Sequence, residues 1–101
     1  MKNSYEVRFK ETTFNQIEDA YDWYEMKREG LGRLFLFSID DVVLLLKNNP
    51  YQFMKIYKEV RRAVTKKFPY ALFYRIKEDE YLVEILAVRH QAQDPDYVQN
   101  V

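Results

Sequence analysis

The spacing of apolar side chains changes period twice along this chain, and that change restricts the fold more than any other feature. Between Thr13 and Asn48 apolar residues return every three or four positions, whereas before and after that span they alternate. Phe14, Ile17, Tyr21 and Tyr24 form one such stripe and predict an amphipathic helix over residues 13–29. Thr13 with Gln16 has the spacing of a capping box at its start, and Gly30 and Gly32 read as its end, because glycine accepts the left-handed backbone that closes a helix. Phe35, Ile39, Val42, Val43 and Leu46 predict a second helix over residues 33–48, stopped by Asn48, Asn49 and Pro50. The connection is short enough to force an antiparallel hairpin, whose two apolar stripes then need a surface to cover.

The alternating segments supply that surface. SYEVRF sets Tyr5, Val7 and Phe9 against Ser4, Glu6 and Arg8, the pattern of a half-buried strand. Residues 57–64 put Val60, Arg62 and Val64 on one face. Residues 70–76 put Tyr70, Leu72, Tyr74 and Ile76 on one face and Ala71, Phe73 and Arg75 on the other. Pro69 stands at the start of that strand, where a missing amide is tolerated. Residues 81–89 form a further apolar run after the acidic turn Lys77 to Glu80. Three strands in succession with short turns make an antiparallel meander, to which the N-terminal strand adds, and the polar tail HQAQDPDYVQNV leaves the sheet. The expected architecture is α+β in the order β-α-α-β-β-β, an antiparallel sheet packed against a helical hairpin. Its 101 residues fit one domain, 1–101.

Several chemistries are excluded by composition. The chain has no cysteine and one histidine, so thiolate metal sites, a cysteine nucleophile and a histidine-built zinc site are out of reach. Two glycines cannot build a phosphate-cradling loop, and neither a cofactor nor a metal is expected. No apolar run approaches the roughly 18 residues of a membrane span, and MKNSYEVRFKETTF lacks a signal-peptide core, so the expected compartment is the cytoplasm and no membrane partner is expected. Net charge is zero, but unevenly spread. Residues 52–75 hold seven cations against the single Glu59, a local +6, and residues 76–101 carry −4. Such a block can attract an anionic partner although the whole protein is neutral, because salt screens exposed charges beyond about 8–10 Å.

Four sets of side chains are candidates for a site. His90 is the only side chain that titrates near neutrality when unperturbed, and it stands where the last strand meets the tail; the plainer reading is a histidine bonded to neighbouring backbone. Arg61, Arg62 and Arg75 on adjacent strands, with Lys66 and Lys67 in the turn between them, could hold phosphate or an acidic partner; the plainer reading is a sheet face covered by arginine stems. Glu18, Asp19, Asp22 and Glu25 read as a solvated helix face, and Trp23 beside them as either a partner contact or a half-buried ring. Asp94 and Asp96, in the sequence DPD, read as a turn rather than a metal site.

Taken together, AYDWYE, GLGRLFL, NNPYQF, VRRAVTKKFPYALFYRI and ILAVRHQAQDP resemble the RelE/ParE superfamily of type II toxin-antitoxin toxins, on its ParE-like, plasmid-stabilisation side, over nearly the whole chain. The resemblance implies the fold order derived above and a toxin silenced by a cognate antitoxin, as a homodimer or a hetero-oligomer with that antitoxin. In one branch the target is DNA gyrase, without catalysis. In the other the toxin is a ribosome-dependent endoribonuclease that cuts mRNA without a metal. There the 2′-hydroxyl attacks the adjacent phosphate, Arg62 and Arg75 stabilise the developing charge, and His90 or Tyr97 moves a proton. Ala71 stands where RNA-cutting relatives carry an arginine, and Gln91 where they carry a basic residue, which favours the non-catalytic branch. QAQ between His90 and Asp94 departs from the basic residues usual in the ParE-like branch. A third alternative is a non-toxic module that only binds antitoxin.

Overall fold

In residues 4–92, which the computed structural model describes, strand β1 (Glu6–Phe9) leads into helix α1 (Glu11–Lys27) and helix α2 (Leu31–Asn48). Four strands follow: β2 (Lys55–Tyr57), β3 (Val60–Val64), β4 (Tyr70–Lys77) and β5 (Leu82–His90). They form one sheet in the spatial order β1-β5-β4-β3-β2. The expected three-stranded antiparallel meander is present as β3-β4-β5, β2 extends it, and β1 adds beside β5 in parallel, so the sheet is mixed rather than antiparallel throughout. The helical hairpin covers one face. That inner face buries Leu72, Tyr74, Val83, Ile85 and Val88 against Tyr24, Phe35, Ile39, Val42 and Leu46. Each fully buried large apolar side chain contributes about 1.5–3 kcal/mol, so this layer carries most of the stability. A smaller cluster of Val60, Ala71, Phe73, Leu86 and Ala87 lies on the outer face.

Several local expectations are corrected. Helix α1 begins at Glu11, two residues before the expected start, and Thr13 is no cap: it is fully buried, and its hydroxyl donates to the Lys10 carbonyl at 2.6 Å. The buried stripe is Thr13, Ala20 and Tyr24 with Ile17 beside it, while Phe14 is 57% exposed. Polar Thr13 takes the inward position because its hydroxyl finds a backbone acceptor at Lys10, just before the helix. Gly32 does not end α1 but lies inside α2, and Gly30, with φ of 89°, supplies the left-handed turn. The segment read as one strand over residues 57–64 is a hairpin, because Lys58 adopts a left-handed conformation (φ 50°) and reverses the chain between β2 and β3. The acidic stretch Glu78–Glu80 is a single 3-10 turn, completed by Tyr81 with φ of 50°.

Candidate functional site

Strand register decides which candidates can act together. Arg62 pairs with Phe73 and Arg75 with Glu84, so both arginines belong to the outer face, in the alternation expected for β4. Diagonal neighbours on adjacent strands lie within about 7–8 Å of each other. Arg75 Nε donates to Glu84 Oε1 at 2.9 Å, and Lys77 Nζ approaches the same carboxylate at 3.9 Å. Such half-exposed pairs are worth about 0–1 kcal/mol, so Glu84 can yield Arg75 to a stronger anion at small cost.

His90 is on the opposite side. In β5 the register shifts between Phe73 and Tyr74 of the facing strand, which leaves Leu86 as an extra residue. Leu86 and Ala87 both join the outer cluster, and inward alternation resumes with Val88. Without this bulge Arg89, not His90, would share the parity of Ile85. His90 instead stands opposite Tyr70, ring centroids 5.3 Å apart, and its Nδ1 accepts the Ala92 amide at 3.0 Å. Around it a pocket of about 470 Å³ is lined by Gln16, Asp19, Trp23, Tyr70 and Arg89. Burial and, secondarily, the neighbouring Tyr24 push the Tyr70 hydroxyl pKa up, so Tyr70 is a neutral donor at physiological pH. The structure thus brings Arg62 and Arg75 together and separates them from His90 by the thickness of the sheet.

The remaining candidates disperse further. Arg61 points to the helix side, where its Nη1 donates to the Phe53 carbonyl at 2.6 Å and its guanidinium lies 5.1 Å from the Tyr51 ring centroid. It fastens the segment after α2. Lys66 and Lys67 rise from the turn before β4 and line a different cavity, at the outer side of α2. Of the acidic set, Glu18, Asp19 and Asp22 are exposed as expected, but Glu25 is not idle: its carboxylate accepts the amides of Gly30 at 2.8 Å and Gly32 at 2.9 Å. Trp23 is 55% exposed, with Lys27 Nζ 4.4 Å from its ring. Tyr97, Asp94 and Asp96 lie outside the described residues. Among the described residues no group of three or more His, Asp or Glu side chains could hold a metal, and no helix is long and apolar enough to cross a membrane.

Three structural contacts escaped the sequence reading. Gln16 accepts the Val88 amide at 2.7 Å through its side-chain oxygen and so ties α1 to β5 beside His90. Tyr74, fully buried, donates to the Pro50 carbonyl at 2.6 Å; burial raises its pKa to about 12, outweighing the opposite pull of Arg61. Glu78 accepts from the hydroxyls of both Tyr5 and Tyr51 at an exposed corner where Tyr5 also stacks on Tyr81. None of the three has a sequence signal, since each joins positions far apart in the chain.

A family profile described as "ParE toxin of type II toxin-antitoxin system, parDE" matches residues 7–95. The sequence is 28% identical over 90 residues to Toxin ParE2 of Mycobacterium tuberculosis, covering 84% of both chains. The fold is similar to a chain of the chromosomal ParDE toxin-antitoxin system from P. aeruginosa, with a TM-score of 0.74 at 15% identity, covering 88% of this chain and 98% of that one. It is similar also to the isolated E. coli RelE toxin, with a TM-score of 0.66 at 12% identity, covering 96% and 95%.

Proposed function

Because the chain belongs to the ParE toxin family of type II toxin-antitoxin systems, we propose that it arrests growth by binding DNA gyrase or a similar target in the cytoplasm, without catalysis, and that a cognate antitoxin keeps it silent. The observation that carries this reading is the separation of Arg62 and Arg75 from His90. Proton transfer to or from a reacting group needs its partner within about 2.6–3.2 Å, or one water further. Arg62 and Arg75 lie on the outer face, whereas His90 faces Tyr70 on the helix side. A phosphate held by the arginines is therefore out of reach of His90. An outer face with two arginines around Phe73 suits a binding surface instead.

A ribosome-dependent endoribonuclease is the second reading, favoured by the shared face of Arg62 and Arg75, which could hold a phosphate. Induced expression of the chain, with growth, plasmid supercoiling and mRNA integrity followed together, separates the readings. Growth arrest with altered supercoiling and intact mRNA is expected. Arrest with cleaved mRNA and unaltered supercoiling would replace the first reading by the second. Unimpaired growth would leave only an antitoxin-binding module.

A further inference from the structure

The pocket beside His90 takes no part in the action proposed above, yet its walls are already fixed. Gln16, Asp19, Ala20 and Trp23 recur at steps of three and four, so they share one side of α1 and face the ends of β4 and β5. The bond from the Val88 amide to Gln16 Oε1, at 2.7 Å, holds helix and strand together across the pocket. Ala20 and Val88, both buried, form its apolar inner wall. Tyr70 is braced edge-on by Phe35 and His90, ring centroids 4.9 and 5.3 Å away, and Trp23 meets Tyr24 edge-on at 5.1 Å while staying 55% exposed. At about 470 Å³ the cavity has the size of a small-molecule site.

Its polar groups decide what it takes. Donors outnumber acceptors. With Oε1 committed to Val88, Gln16 presents its Nε2 hydrogens, Tyr70 presents a hydroxyl, and the neutral His90 ring, whose Nδ1 accepts the Ala92 amide, carries its hydrogen on Nε2. The one carboxylate in the lining is Asp19, which is exposed and, among the described residues, in no ion pair. Asp19 and Trp23 are four residues apart on the helix, so the carboxylate stands beside the indole. A matching ligand is flat, carries several acceptors, and has one edge with two adjacent N–H groups. A cation is disfavoured, because Lys27 Nζ already lies 4.4 Å from the Trp23 ring and Arg89 is in the lining. A nucleic-acid strand is disfavoured too, because exposed Glu18 and Asp22 flank Asp19 and repel phosphates.

We infer that this pocket, between α1 and the ends of β4 and β5, binds a free guanine nucleoside. The base stacks on Trp23, its N1–H and N2–H donate to the two Asp19 oxygens, and O6 and N7 accept from the Tyr70 hydroxyl and Gln16 Nε2. Of the common bases only guanine sets two donors side by side on its pairing edge. Adenine sets one donor beside an acceptor, so a carboxylate would face a lone pair. Binding of this kind is independent of the toxin reading, since the outer pair Arg62 and Arg75 lies across the sheet from it.

Trp23 is the only tryptophan, so its fluorescence reports a stacked base directly. Guanosine, adenosine and cytidine are titrated into the full chain, with calorimetry as a second readout that does not depend on the tryptophan. Saturable quenching by guanosine is expected, about tenfold or more tighter than by adenosine, since the wrong base edge forfeits a bidentate contact. Asp19→Asn, a change at an exposed position, replaces one carboxylate oxygen by an amide donor. It should weaken guanosine about tenfold or more and reverse the preference, because an amide matches the amino group and ring nitrogen of adenosine. Mere damage to the fold would weaken both nucleosides alike. Trp23→Ala, followed by calorimetry, should abolish binding of either. No guanosine binding to the unaltered chain, equal binding of the three nucleosides, or an Asp19→Asn variant that keeps the guanosine preference would overturn the inference. So would displacement of guanosine by tetramethylammonium, which marks a cation cage, or tighter binding of a thymidine oligonucleotide carrying one guanine, which marks a strand.

Discussion

At the scale of single residues, the hairpin depends on Gly32. A Cβ there would lie 2.7 Å from Glu25 Oε1 and 2.8 Å from the Tyr21 carbonyl oxygen. The carboxylate could swing away, but the backbone oxygen cannot, so Gly32→Ala must push the helices apart. A cost of about 1–3 kcal/mol, read as a fall in melting temperature, is expected for such overpacking. Tyr74 makes a second prediction. Tyr74→Phe keeps the ring but leaves the buried Pro50 carbonyl without its donor, at about 1–3 kcal/mol. The hydroxyl also sets an alkaline limit. Its folded pKa of about 12 lies above its ordinary value of 10.0, so the folded state binds the proton more tightly. That stabilisation is fully present below the ordinary pKa and is lost as pH rises through the folded one. Urea midpoints should thus hold steady across neutral pH and drop between pH 10.0 and about 12, with a smaller drop in Tyr74→Phe. Glycine's two roles here, a turn at Gly30 and a close approach at Gly32, look identical in the sequence.

At the scale of elements, Gln16 links α1 to β5. Gln16→Ala should strip the Val88 amide of its acceptor. It is expected to cost about 1–3 kcal/mol and to speed hydrogen exchange at Val88 more than at the centre of β4. The strands and helices themselves were largely legible. Alternation assigned both faces of β4 and the inward Val7 and Phe9 of β1, and the three-to-four spacing found the buried Phe35, Ile39, Val42 and Leu46 of α2. Periodicity failed where a local hydrogen bond, a turn or a bulge overrode it. Thr13 is inside and Phe14 outside because a hydroxyl bonded to the Lys10 carbonyl can be buried without penalty. The Lys58 turn lacks the glycine or asparagine that usually marks a hairpin. The bulge at Leu86 is the most consequential omission, because one inserted residue turned His90 to the helix side. Nothing in ILAVRH announces a bulge. The candidate site was therefore legible as residue types and not as a constellation.

At the scale of the whole molecule, the basic block between residues 52 and 75 is not one patch. Arg61 fastens backbone on the helix side, Arg62 and Arg75 occupy the outer face, and Lys66 and Lys67 line the cavity beside α2. The sheet separates the Arg62 and Arg75 pair from the helix side, and it is this outer pair that we propose for the target. Two consequences should be separable in cells. Arg62→Ala/Arg75→Ala should reduce growth arrest while leaving co-purification with the antitoxin unchanged. His90→Ala should leave arrest within about twofold of the unaltered chain, since loss of a general acid or base would cost roughly 10²- to 10⁴-fold. The most direct measurement of the central claim is purified toxin titrated into a gyrase supercoiling reaction, with an mRNA-programmed translation extract run in parallel. Action by binding predicts that gyrase inhibition saturates at stoichiometric toxin while the mRNA stays intact. Cleavage of many mRNA molecules per toxin, abolished by His90→Ala and with gyrase unaffected, would contradict it.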